Sequence, residues 1–129
     1  MFRIHALFAV FLAALLALGA CGQGPRVLGA QDAGTTVELR QGEQVELVLV
    51  GNPTTGFTWE IETLDEAVLK QSGDPDYVSD RDVPGSPGKF TFRFEAAGAG
   101  QTTLRLIYHR PFEENTPPLE TFELMVVVK

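Results

Sequence analysis

The chain has 129 residues, 44% apolar and 21% charged, with 10 Lys and Arg against 17 Asp and Glu and a formal net charge of −7. That length suits one domain rather than two, and the composition is that of a globular chain, not a disordered one. The acidic balance excludes the basic footprint with which a nucleic-acid binder displaces counterions. It also argues against docking on anionic lipid headgroups through the domain surface.

Residues 1–20 carry one basic residue, Arg3, ahead of an uncharged apolar stretch from Ala6 to Leu18 and then small residues. A charged start, a short apolar run and small residues at the cut describe a secretory signal. A membrane-spanning helix wants about 20 apolar residues and a basic stop flank, which this stretch lacks. Leu18-Gly19-Ala20-Cys21 resembles the lipobox of bacterial lipoproteins, in which the cysteine is acylated and becomes the mature N-terminus. Cys21 is the only cysteine, so it has no partner for a disulfide within the chain. A nucleophilic role would need a histidine base, and the one histidine beyond the signal, His109, falls inside a strand pattern. Lipidation of Cys21 is therefore expected, and Gly22 in place of aspartate favours the outer membrane, with the domain periplasmic or surface-facing. Loss of residues 1–20 removes Arg3 and no acid, leaving nine basic and 17 acidic residues, net −8.

From Gly22 to Gly34 the sequence is aperiodic and rich in small residues, so residues 21–34 are expected to be a flexible tether after the lipidated cysteine. At ~3.5 Å per residue such a segment spans at most about 45 Å. The folded domain is expected over residues 35–129. TTVELR opens a series of period-2 segments, followed by QVELVLV, with Val45, Leu47 and Leu49 on one face. FTWEIE places Phe57, Trp59 and Ile61 on one side. LDEAVLKQ is compatible with a helical turn or a short strand. Residues 72–88, SGDPDYVSDRDVPGSPG, form one long irregular segment, of the kind that is functional or disordered in small domains. KFTFRFE aligns Phe90, Phe92 and Phe94, TTLRLIYHR aligns Leu104, Leu106 and Tyr108, and ETFELMVVV aligns Phe122, Leu124, Val126 and Val128. All eight prolines lie outside these runs, as paired strands require. About seven short strands separated by Gly/Pro turns predict an all-β, immunoglobulin-like sandwich without a disulfide.

No Gly-rich loop leading into a helix, HExxH or Cys/His cluster is present in the sequence. Asp74, Asp76, Asp80 and Asp82 alternate, but a calcium loop counted from Asp74 would place Ser79 where glycine and Gly85 where glutamate belongs, so a solvated acidic loop is the reading. Glu113 and Glu114 have no partner that selects them as a catalytic pair. No enzyme, metal or cofactor is expected. Three stiff loops remain. In Asn52-Pro53-Thr54-Thr55-Gly56-Phe57, proline fixes its own φ and pushes Asn52 to extended geometry. Two β-branched threonines follow, and Gly56 permits a positive φ. Gly85-Ser86-Pro87-Gly88 is the second loop and Arg110-Pro111-Phe112 the third. In an immunoglobulin-like sandwich the first and third lie at the same end, which puts a pre-shaped wedge beside an Arg/aromatic pair of the sort enriched in binding hot spots. Physical reasoning alone leaves this evenly balanced against two ordinary hairpin loops with Phe112 packed on the core.

Across about Thr35 to Val128 the sequence resembles the chagasin family of proteinaceous cysteine-protease inhibitors. Asn52-Pro53-Thr54-Thr55-Gly56 matches the family's first loop completely, and Phe57 is also family-like. Arg110-Pro111-Phe112 matches an Arg-Pro-Trp loop with phenylalanine for tryptophan, and Gly85-Ser86-Pro87-Gly88 keeps only the outer glycines of a Gly-x-Gly-Gly pattern. The resemblance implies a reversible, non-covalent inhibitor of papain-like proteases that fills the cleft with three loops. Thr54 and Thr55 would then lie over the catalytic cysteine, Arg110 and Phe112 on the primed side and residues 85–88 on the non-primed side. Phe112 lacks the indole N–H, and Pro87 lacks a backbone donor. The expected partner is a papain-family cysteine protease met by a monomer, with membrane contact only through the lipid. The alternative is an immunoglobulin-like assembly lipoprotein of the cell envelope.

Overall fold

The computed structural model describes residues 24–129; the expected signal and the lipidation site Cys21 lie outside the described residues. Among the described residues nine strands form two sheets. The first sheet contains β1 (Arg26–Gly29), β3 (Gln44–Gly51) and β7 (Gly88–Ala96), with β5 (Leu69–Gln71) and β6 (Asp76–Ser79) sharing the far edge of β7. The second runs in the order β2 (Thr36–Leu39), β9 (Glu120–Val128), β8 (Gly100–His109), β4 (Thr58–Thr63). The immunoglobulin-like sandwich anticipated from the period-2 segments is the observed architecture.

The two sheets close over a single apolar core. Leu47, Leu49, Phe92 and Phe94 point inward from the first sheet, and Leu104, Leu106, Leu124 and Val126 from the second; all are almost fully buried. Each such side chain contributes about 1.5–3 kcal/mol relative to leaving it in water. Trp59 and Tyr108 also lie in the core, whereas Phe57 and Ile61 are only half-buried against it. Trp59 satisfies its indole N–H with the Val50 carbonyl at 3.0 Å, which links the sheets near one end.

Two expectations need correction. Residues 26–29 are not part of a tether. They form β1, paired in parallel with β3, and bury Leu28. A short turn over Ala30–Asp32 carries the chain to the second sheet, where β2 pairs in parallel with β9. Four residues are too few to display a period, and the pairing is dictated by the open backbone edge of β3. Nor is 72–88 wholly irregular: Asp76–Ser79 pairs with β7, and Tyr77 turns inward to pack on Phe90 at 4.9 Å between ring centroids. The undecided segment at 64–71 resolves into a turn followed by β5.

Register fixes which loops share an end. Gly51, the last residue of β3, opposes Gly88, the first of β7, and Thr58 at the start of β4 opposes His109 at the end of β8. The loops after β3, before β7 and after β8 therefore meet at one pole. Because β1 runs parallel to β3 and Arg26 opposes Val45, the chain enters the domain at the other pole.

Candidate functional site

The first loop is a single 3-10 turn, Pro53–Thr55, capped by Asn52. Proline suits the first position of a helical turn, where no N–H is needed. The Asn52 side-chain oxygen accepts the Thr54 N–H at 3.2 Å and the Thr54 hydroxyl at 2.5 Å. Its backbone carbonyl accepts the Thr55 N–H at 3.3 Å and the Thr55 hydroxyl at 2.6 Å. Both threonine hydroxyls are thus tied back to Asn52, while Thr54 and Thr55 themselves stay exposed. Gly56 closes the turn at φ 85° and donates to the Pro53 carbonyl at 3.0 Å. A side chain there would be strained by the backbone and would meet the Phe112 ring at 3.0 Å. The positive φ is what calls for glycine at this position.

Asn52 also reaches outside its own loop. Its backbone N–H donates to the Tyr108 hydroxyl at 2.7 Å, and its side-chain amide donates to the Gly85 carbonyl at 3.1 Å. One residue therefore caps the first loop, anchors it to β8 and joins it to the second loop. Each such bond adds on the order of 1 kcal/mol. Sequence reasoning placed Asn52 in the contact surface but missed this role; asparagine ahead of a Pro-initiated turn is the cap signal that points to it.

The third loop is held by its arginine. Arg110 Nε donates to the Thr55 carbonyl at 3.0 Å and its terminal nitrogen pairs with Glu113 at 2.9 Å. The guanidinium lies 4.4 Å over the Phe57 ring. Phe57 stacks on Tyr108 at 5.2 Å, and Tyr108 on Trp59 at 5.0 Å, so a continuous stack runs from the core to the loop surface. Aromatic and cation–π contacts of this kind add about 0.5–1.5 kcal/mol each. Arg110 thus acts chiefly as a brace between loops, with Phe112, 71% exposed, as the free group beside it. Phe112 does not pack on the core.

The second loop is the turn of the β6–β7 hairpin. Ser86 is 7% exposed; its hydroxyl accepts the Arg81 N–H and donates to the Pro87 carbonyl, and its own carbonyl accepts the Tyr77 hydroxyl. Gly88 is also buried, and a Cβ there would sit 2.2 Å from the Val78 carbonyl. Ser86 and Gly88 are buried and hold the hairpin together, whereas Gly85 and Pro87 are exposed. Among the described residues no group of three or more His, Cys, Asp or Glu could hold a metal ion. His109 is engaged with Glu60 at 2.9 Å.

The sequence profile described as "Chagasin family peptidase inhibitor I42" matches residues 38–126. Amoebiasin-1 of Entamoeba histolytica is 33% identical over 98 residues, covering 74% of this chain and 91% of that protein. Among solved structures, the cysteine protease inhibitor EhICP2 from Entamoeba histolytica superposes with a TM-score of 0.72 at 24% identity, over 82% of this chain and 100% of that one. PbICP-C in complex with falcipain-2 superposes with a TM-score of 0.60 at 17% identity, over 81% and 99% of the respective chains. At these identities the two structures speak for the fold.

Proposed function

Because this chain belongs to the chagasin family of peptidase inhibitors, we propose that it is a reversible, non-covalent inhibitor of papain-family cysteine proteases whose three joined loops enter the protease cleft. The observation that carries the mechanism is the bonding of the loops to one another, Arg110 to Thr55 and Asn52 to Gly85, with Thr54, Thr55 and Phe112 left exposed at their tips. Loops already fixed lose little conformational freedom on association.

The same geometry accounts for survival in a cleft that cuts peptides. A 3-10 turn does not lie flat as an extended strand. The carbonyls of Asn52, Pro53 and Thr55 already accept hydrogen bonds within the loops, so they are engaged away from an oxyanion site. The wedge blocks by occupancy rather than by offering a bond to attack. Titrating papain with the chain is expected to abolish activity near one-to-one stoichiometry, with an inhibition constant on the order of nanomolar. Activity should return on dilution, and the inhibitor should be recovered uncut. Full papain activity at micromolar inhibitor would overturn the proposal.

The proposal extends to the anchor. Acylation at Cys21 would attach the chain five residues before Arg26, a reach of about 17 Å, at the pole opposite the loops. The ten residues of β8 span roughly 33 Å. A lipid at Cys21 therefore holds the wedge away from the bilayer and facing outward, and the position of β1 supports this arrangement. Cys21→Ser is expected to move the exported protein from the membrane fraction to the soluble one with inhibition unchanged. Retention in the membrane fraction of variant chains that have lost residues 1–20 would show that Cys21 is not the anchor.

A further inference from the structure

The outer face of the first sheet changes character along its strands. In mid-strand it is charged: Arg93 bridges Glu46 at 3.5 Å and Asp76, and Asp76, by hydrogen bond and charge, holds the guanidinium above its ordinary pKa. At the loop pole the same face carries two exposed valines on either side of an ion-paired lysine. Val50 and Val78 oppose Lys89 from its two sides, forming one row across three strands, and are 63% and 68% exposed. The Lys89 ammonium is bound by Asp80 at 2.7 Å, so the row offers no free cation.

Singly exposed apolar residues need no explanation, but two exposed valines that flank one lysine stem beside the first and second loops present a joined surface, because the stem of a lysine is itself apolar. The exposed tips of the three loops supply about ten residues, whereas stable complexes use about 20–30 residues a side. The valine row continues from the first and second loops: Val50 lies two residues before Asn52, and Val78 leads into the 80–88 turn. We propose that Val50 and Val78, with the aliphatic stem of Lys89 between them, form a fourth contact, a shelf that receives the apolar rim of the target protease's cleft on the side of the second loop. This rests on the inhibitory reading given above. The shelf adds affinity and sets which papain-family enzymes are held longest, since loss of apolar contact acts mainly on dissociation.

The test pairs Val50→Thr with Val78→Thr, which keeps volume and β-branching while adding hydroxyls to the shelf. Val27→Thr, also at an exposed strand valine but on the neighbouring edge strand, where it opposes Glu46 four residues before Val50 and nearer the opposite pole, is the control. Inhibition constants and dissociation rates are measured against papain, with melting temperature as the check on folding. The shelf predicts a loss of about tenfold for the pair, carried by faster dissociation, with Val27→Thr within twofold of the parent and both variants folded. The shelf is overturned if the parent inhibits and the pair matches it, or if Val27→Thr weakens inhibition equally. If the parent itself does not inhibit, the inhibitory reading falls and the shelf with it.

Discussion

Changing Thr54 and Thr55 together to alanine is expected to weaken inhibition by about 100-fold, some 2.7 kcal/mol, while the domain stays folded. Both residues are exposed at the tip of the first loop, so their removal leaves no core cavity. The double variant does lose two hydroxyl bonds to Asn52. The Thr54 and Thr55 N–H bonds to Asn52 and the Gly56 bond to Pro53 remain, so the turn persists. Solvent-exposed hydroxyl bonds of this kind total about 1 kcal/mol, or roughly a 5 °C fall in melting temperature for a domain of this size. Thr54→Ser with Thr55→Ser separates surface from scaffold, because serine keeps the hydroxyls and removes the methyls. If the methyl surface makes the contact, the serine pair loses inhibition with no change in melting. If the serine pair inhibits like the parent, the loop's internal bonding is what matters. Global unfolding of the alanine pair would make the loop a structural element and remove the case for a mutable wedge.

Gly88→Ala should have the larger effect on stability, about 2–4 kcal/mol, lowering the melting temperature by 10 °C or more. A Cβ at this position falls 2.2 Å from the Val78 carbonyl and 2.7 Å from the Tyr77 ring. Backbone cannot swing aside as the end of a side chain can, so β6 must separate from β7. That separation breaks the Ser79–Gly88 pairing, loosens Tyr77 from Phe90 and releases the second loop. Inhibition should fall with it, but only in part, because the first and third loops stay joined through Arg110 and Thr55. Pro87→Ala, one residue away and exposed, is expected within about 0.5 kcal/mol of the parent. Parent-like melting of Gly88→Ala would show that the hairpin is not packed as described.

The two substitutions also mark how far the sequence can be read. Threonines in an Asn-Pro-Thr-Thr-Gly turn announce an exposed, stiffened loop from their own chemistry. Gly88 does not. In the sequence it is one of two glycines flanking a Ser-Pro pair, and it reads as part of a contact loop. Only the pairing of β7 with both β3 and β6 shows that it is a buried point of close approach. The burial of Ser86 is hidden for the same reason, since a serine in a Gly/Pro turn is ordinarily exposed and this one is enclosed by the hairpin. The strand β1 escaped notice because its pairing is a property of its partner's edge.

By itself the sequence determined the sandwich, through period-2 alternation that puts Phe90, Phe92, Phe94, Leu104, Leu106 and Tyr108 on inner faces, and through prolines confined to the turns. It also determined the local stiffness of the first loop and the motif that places the chain in its family. These depend on neighbours a few residues apart, whose steric and hydrophobic preferences act at short range. The tertiary structure decided that Asn52 binds Gly85, that Arg110 braces Thr55, and that Val50 and Val78 form one row at the loop pole. Those placements bring together residues 28 to 55 positions apart, and their geometry exists only after strand register has brought three turns to one end of the sandwich.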